Sequence, residues 1–283
     1  MAKSLVLPLA EFVNATYLIP SATPQTDAPG LALEAAAASP QSSRLEDELE
    51  RGTLTLHVRA ASDTPEPPID TLIANGADPQ HIRQLAIASH FVVIHMPGRA
   101  GFPATHEWAA RLLAAEVAGK LDAPVLDPAI PLLMSSRQAG AMDHRGGMRV
   151  RDWVFVGASL ESPGLRLSTR GMSRFGFPDF SAQAVPPRLA HESSGVMLAM
   201  AAALLNRAQT ALDYDPLANC VQVPTLFALG PGRAAVVRLE RGEGTLLHLT
   251  PAAGNRPSAW TDLCSSLFGF QPGSPGTFET PIS

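Results

Sequence analysis

GLRLSTRGMSRFGFPDFSAQAV, residues 164–185, reads as strand, turn, one helical turn, turn and strand. Leu165, Leu167 and Thr169 alternate with Arg166, Ser168 and Arg170, which is the period-2 pattern of a half-buried strand. Gly171 permits a change of backbone hand. Residues 172–175 suffice for one helical turn, and Gly176 can end it in the left-handed conformation. Phe177 and Phe180 flank Pro178, whose ring fixes its own φ and keeps the preceding residue extended. A rigid corner in the middle of a fold follows from these features.

Working outward, 283 residues with 46% apolar and 17% charged side chains describe a globular chain with enough length for a substantial core. A net charge of -5, with no basic stripe to offset it, argues against a nucleic-acid binder. Cys220 and Cys264 match no metal or redox spacing, so two buried thiols in a reducing cytoplasm are expected. Pro8, Glu11 and Asn14 interrupt the N-terminal apolar run, so it reads as a docking strand or short helix rather than a secretory signal. The most apolar internal run, residues 195–205, has about half the length needed to span a bilayer, so it is read as a core helix and no membrane is expected.

Residues 21–52 mix Pro, Ser, Thr and Ala before a charge cluster, and suggest a mobile surface arm ending in a helix that carries Leu45 and Leu49 on one face. Residues 53–59 alternate as a strand, and residues 69–75 and 79–88 read as short helices split by Gly76. Residues 90–96 are a continuous apolar run of the kind buried on both faces of a sheet. Thr105 is the expected N-cap of a helix over residues 107–121, wedged between layers by ridges on two faces. With a short strand at 123–126 it completes a βαβ-like unit. Residues 134–150 lack any period and read as a loop, followed by a strand at 152–159. After the corner come a helix over about 191–209, a strand at 221–229 interrupted by Pro224, a hairpin closed at 242–244, and a last helix at 260–268.

The chemical motifs are thin. Residues 230–235, GPGRAA, match a dinucleotide loop in letters only, because a hairpin rather than a helix is expected to follow. The eight histidines show no H-x-x-x-H spacing, and no metal or cofactor is expected. His106-Glu107 and His191-Glu192 each open a helix, where the glutamates complement the helix dipole; convergence on a cleft is the alternative. Arg166, Arg170 and Arg174, with His191 downstream, form the one candidate binding set, for an anion or a partner. The competing reading has Arg166 and Arg170 on the outward strand face, with Arg170 or Arg174 paired to Asp179. Ser193 and Ser194 beside His191 are read as helix-start residues rather than nucleophiles. No catalytic residue is assigned.

The pattern G-L-x-L-x-T-x-G-M-x-x-F-G-x-P-D, residues 164–179, resembles the signature of the uncharacterised bacterial DUF4261-type domains, and is more distantly similar to bacterial suppressor-of-fused-like proteins. The likeness extends over about residues 86–268. It implies an α+β fold and an antitoxin-like immunity or interaction role, with no catalytic residues to carry over. The expected fold is α+β: a mixed β-sheet with two main packed helices, two similar α/β halves as an open alternative, and a C-terminal β-hairpin plus helix. Residues 1–52 would be an N-terminal segment and arm, 53–268 the domain (halves 53–133 and 151–268), and 269–283 a loose tail. The expected function is a non-enzymatic cytoplasmic protein-interaction domain of an immunity-like or regulatory kind. The alternative is a small-molecule or phosphate-handling enzyme with an Arg/His-lined cleft at 164–192.

Overall fold

The computed structural model describes residues 4–51, 53–141, 149–215, 217–230, 236–242 and 246–268. The fold is α+β, with three sheets of mixed strand order and two dominant helices, α5 (Thr105–Lys120) and α7 (Ala190–Tyr214).

The first sheet has five antiparallel strands in the order β3 (Thr55–Ala60), β4 (His90–Arg99), β2 (Phe12–Ser21), β5 (Val125–Asp127) and β6 (Leu132–Met134). β4 is buried on both faces, as a continuous apolar run requires. Val92, Ile94 and Met96 join the main core against α5, while Phe91 and Val93 join a second cluster capped by Leu72 of α3 (Ile69–Ala74) and Leu85 of α4 (Pro79–Ala86). β2 lies between β4 and β5, so the expected βαβ unit has a strand inserted through its middle.

That insertion also changes the reading of the N-terminal region. Residues 12–21 form a central strand, and the expected mobile arm folds as α1 (Ala28–Ala38) and α2 (Ser42–Arg51). Ala32, Ala35 and Ala36 of α1 and Leu45 of α2 are buried in the main core beside α5. Pattern reading misses α1 because its buried face is alanine, which carries little hydrophobic contrast.

The second sheet runs β11 (Leu226–Ala228), β12 (Val236–Arg241), β13 (Leu247–Pro251), β9 (Phe180–Val185), β8 (Leu165–Arg170) and β7 (Phe155–Leu160), with one parallel pair between β13 and β9. The two sheets thus differ in strand order. α7 and α8 (Pro257–Phe268) pack on this sheet, and the Trp260 indole donates to the Gln183 carbonyl at 3.0 Å. The stretch read as one strand at 221–229 is two. β10 (Cys220–Pro224) pairs with β1 (Ser4–Pro8) in a separate ribbon, and β11 joins the large sheet after Pro224. The β12–β13 hairpin forms, though residues 243–245 of its turn lie outside the described set, as do most of the GPGRAA motif and the tail at 269–283. The region expected as a loop at 134–150 contains the last residue of β6 and a short helix, α6 (Ser136–Gly140), opened by a Ser135–Gln138 capping box; residues 142–148 are outside the described set. Cys264 is buried but Cys220 is exposed, which corrects the expectation of two buried thiols. Among the described residues no helix is long and apolar enough to cross a membrane.

Candidate functional site

The corner forms as its glycines dictate. Met172–Phe175 is a 3-10 turn bracketed by Gly171 at φ 108° and Gly176 at φ 83°, both left-handed. Asp179 holds the turn from inside. Its Oδ1 accepts from the Thr169 hydroxyl at 2.9 Å and the Met172 N–H at 3.2 Å, while Thr169 Oγ1 accepts the Phe180 N–H at 2.9 Å. Burial raises the Asp179 pKa in spite of those donors.

Asp179 is therefore occupied by the turn, and neither Arg170 nor Arg174 makes an ion pair with it among the described residues. Arg170 is exposed on β8, Arg166 is half-buried on the same face, and His191 is exposed in the first turn of α7. Arg174 alone goes inside, at 3% exposure. The four candidate residues do not come together, and none of them lines any of the three cavities described below.

Arg174 reaches across to the first sheet. Its Nη2 donates to both Asp127 oxygens at 2.7 and 3.0 Å, and its Nη1 lies 3.4 Å from the Tyr17 hydroxyl and 3.5 Å from Glu107 Oε2. Tyr17 donates to that same Glu107 oxygen at 3.0 Å. The Trp153 ring sits near two guanidiniums, Arg111 at 5.1 Å and Arg174 at 5.6 Å from its centroid. Arg111 completes its own contacts with the Asp152 carbonyl and Met134 Sδ.

This cluster joins β2, α5, β5 and the corner, and it is closed to solvent. Burial first pushes the Glu107 pKa up to about 7, against the opposing pull of Arg174. Burial, followed by the Glu107 charge, also keeps the Tyr17 phenol well above its ordinary value. Burial alone would lower the Arg174 pKa, but Asp127, Tyr17 and Glu107 together reverse that and hold it charged. The expected dipole role of Glu107 is thus joined by a second one, as acceptor in a buried network.

The corner also buttresses the loop between β4 and α5. The Gly101 N–H donates to the Phe175 carbonyl at 3.2 Å, and the Phe102 and Phe175 rings meet edge to face with centroids 5.7 Å apart. A Cβ on Gly176 would run into the Ala100 side chain. That loop lines a cavity of about 860 Å³ together with Gln209, Leu212 and Asp213 near the end of α7, and the Phe102 N–H donates to Gln209 Oε1 at 3.0 Å. A smaller cavity of about 230 Å³ shares Arg99, Ala100 and Leu212 with it, so the two adjoin as one groove, with Phe12 among the residues lining the larger part and Leu217 among those lining the smaller. A third hollow of about 430 Å³ lies on the outer face of the first sheet over Leu18, Val93 and Leu126. The groove was not legible in the sequence, because its walls come from segments more than a hundred positions apart that carry no shared motif.

No group of three His, Cys, Asp or Glu side chains among the described residues is placed to hold a metal ion. No family model, curated protein or solved structure matches this chain.

Proposed function

We propose that this chain is a non-enzymatic protein-interaction domain, of an immunity-like or regulatory kind, that binds a partner protein along the groove between the β4–α5 loop and the end of α7. The observation that carries the reading is the apolar exposure along the groove, where Phe12 is 61% and Leu217 80% exposed. Large exposed apolar side chains along a groove of mixed polar and apolar lining suit a surface that a partner covers. The DUF4261-type resemblance of the corner and a cytoplasmic location belong to the same proposal; the free thiols Cys220 and Cys264 support a reducing compartment. The acidic net charge supports a protein rather than a nucleic acid as partner.

The enzyme alternative at 164–192 needed Arg166, Arg170, Arg174 and His191 around one cleft, and their separation weighs against it.

The test compares tagged wild type with a Phe12→Asp, Leu217→Asp double variant in cross-linked pull-downs. A protein recovered by the wild type and lost by an equally stable variant, with cross-links mapping beside Arg99, is the expected result. Identical recoveries from both, or none from either, would overturn the reading.

A further inference from the structure

The hollow of about 430 Å³ on the outer face of the first sheet shares no lining residue with the groove. Strand alternation builds its floor. Leu56 and Val58 of β3 pack against the main core, so His57 and Arg59 project to the opposite face of the sheet. The register then sets His57 beside Val93, Thr16 beside His95, and Leu18 between Val93 and Leu126. All of these side chains line the hollow. Residues 64–68, TPEPP, which lead from β3 toward α3, line it as well. Their three prolines fix their own φ, so this part of the lining has little backbone freedom to lose when something binds.

Polarity is graded across the site. Val93 and Leu126 are buried, Leu18, His57 and His95 are half-buried, and Arg59 and Glu66 are exposed. The floor is thus apolar and the two full charges stand where solvent reaches.

Arg59 and Glu66 carry opposite charges on one small hollow, yet they do not pair with each other. Neither side chain makes an ion pair or a hydrogen bond among the described residues. The His95 ring, by contrast, is oriented: its Nδ1 lies 3.0 Å from the hydroxyl of Thr16, its neighbour across the strands, which leaves Nε2 as its unused polar atom. The His57 side chain also has no hydrogen-bond partner among the described residues.

We propose that this hollow binds a small zwitterion with an apolar body, an α-amino acid of the aromatic or branched aliphatic kind. The ligand's side chain lies over Leu18, Val93 and Leu126, its carboxylate takes the Arg59 guanidinium, and its ammonium takes Glu66. His57 and His95 add hydrogen bonds, since an imidazole nitrogen donates or accepts according to its tautomer. Ligand pockets run from about 300 to 1,000 Å³, and a hollow near the lower end of that range suits a molecule of this size. A simple acid would meet the like charge of Glu66, and a simple amine that of Arg59, so only a molecule bearing both charges satisfies both side chains. The site does not depend on a protein partner in the groove.

The test follows leucine and valine methyl groups of the full chain by NMR during titration with phenylalanine and, separately, with leucine. Saturable shifts at Leu18, Val93 and Leu126 are expected with at least one of the two. The deaminated acid and the decarboxylated amine of each probe (hydrocinnamate and phenethylamine, isocaproate and isoamylamine) are expected to bind about tenfold more weakly, the loss of one charge-assisted hydrogen bond. Glycine, which has both charges and no apolar body, is expected to give no saturable shift. Arg59→Gln and Glu66→Gln should each lower affinity about tenfold at an unchanged melting temperature, because both side chains are exposed and unpaired, so a folding defect cannot imitate the result. No saturable shift with either amino acid, an acid, an amine or glycine binding as tightly as the amino acid, or wild-type affinity in both variants would overturn the proposal.

Discussion

Arg174 and its partners show what a buried charge costs and what it holds. Its guanidinium is taken out of water, so the interaction with Asp127 and Glu107 must offset a large desolvation penalty, and removing one side of such a pair is more damaging than never having had it. Arg174→Ala is expected to destabilise the fold by about 3–5 kcal/mol, read in urea unfolding. Arg174→Lys is expected to recover little, because one ammonium cannot span Asp127, Glu107 and Tyr17. Wild-type stability in Arg174→Ala would refute the keystone role.

Glu107 adds a pH dependence with a defined sign. Its pKa is about 7 in the folded chain against an ordinary 4.5, so between those values the folded state holds a proton that the unfolded state has lost. The stability it contributes is complete below pH 4.5 and falls away as pH rises through 7, by about 3 kcal/mol in total. His106 works the other way: with its pKa lowered from 6.5 to about 4, stability is lost as pH falls through that window. Because the two oppose each other between pH 4.5 and 6.5, the wild-type curve alone hides both. The difference between wild type and Glu107→Gln isolates the carboxyl, since glutamine still offers Tyr17 an oxygen. That difference should shift toward the variant as pH rises from 5 to 8; a difference independent of pH would refute it. The sequence placed Arg166 and Arg170 outward through strand alternation, but Arg174 sits in a 3-10 turn where that period does not apply. Its partners lie 47 to 157 positions away, beyond the reach of any local pattern.

At the scale of elements, the corner was legible because glycine and proline act locally. Gly171 and Gly176 were placed at the hand changes from spacing alone, and both adopt left-handed φ. Helix α5 and strands β4 and β8 were legible for a related reason, since their apolar periods are intact over many residues. The start of α5 was not, because Thr105 looks like a cap by type while the chain enters the helix one residue earlier at Ala104. The corner's own rigidity can be measured with two glycines of nearly equal φ, Gly76 at 82° and Gly176 at 83°. Nothing lies within 4 Å of a Cβ added at Gly76, so Gly76→Ala should cost only the left-handed penalty of about 1 kcal/mol. Gly176→Ala adds a collision with the Ala100 side chain and should cost clearly more in thermal unfolding. Equal losses would show that the corner and the β4–α5 loop do not bear on each other.

For the molecule as a whole, the question is where a folding unit begins. Composition suggests a boundary at residue 53, after a stretch rich in Pro, Ser, Thr and Ala, and a chain starting at Thr53 would then fold by itself. The topology points the other way. β2 separates β4 from β5 in the first sheet, Tyr17 completes the network around Arg174, and β1 pairs along its whole length with β10 from the far end of the sequence. The main core draws on residues from Leu7 to Cys264 without a break between the sheets. Removing residues 1–52 would leave edges of three strands, β4, β5 and β10, without partners and expose the face of α5 that α1 and α2 cover. A chain of residues 53–283 is therefore expected to lose its near-ultraviolet circular dichroism and its sharp thermal transition. Supplying residues 1–52 in trans should restore part of both, because the missing strand has a preformed slot between β4 and β5. A cooperative transition in the truncated chain at the wild-type temperature would mean that the first 52 residues are an appendage after all.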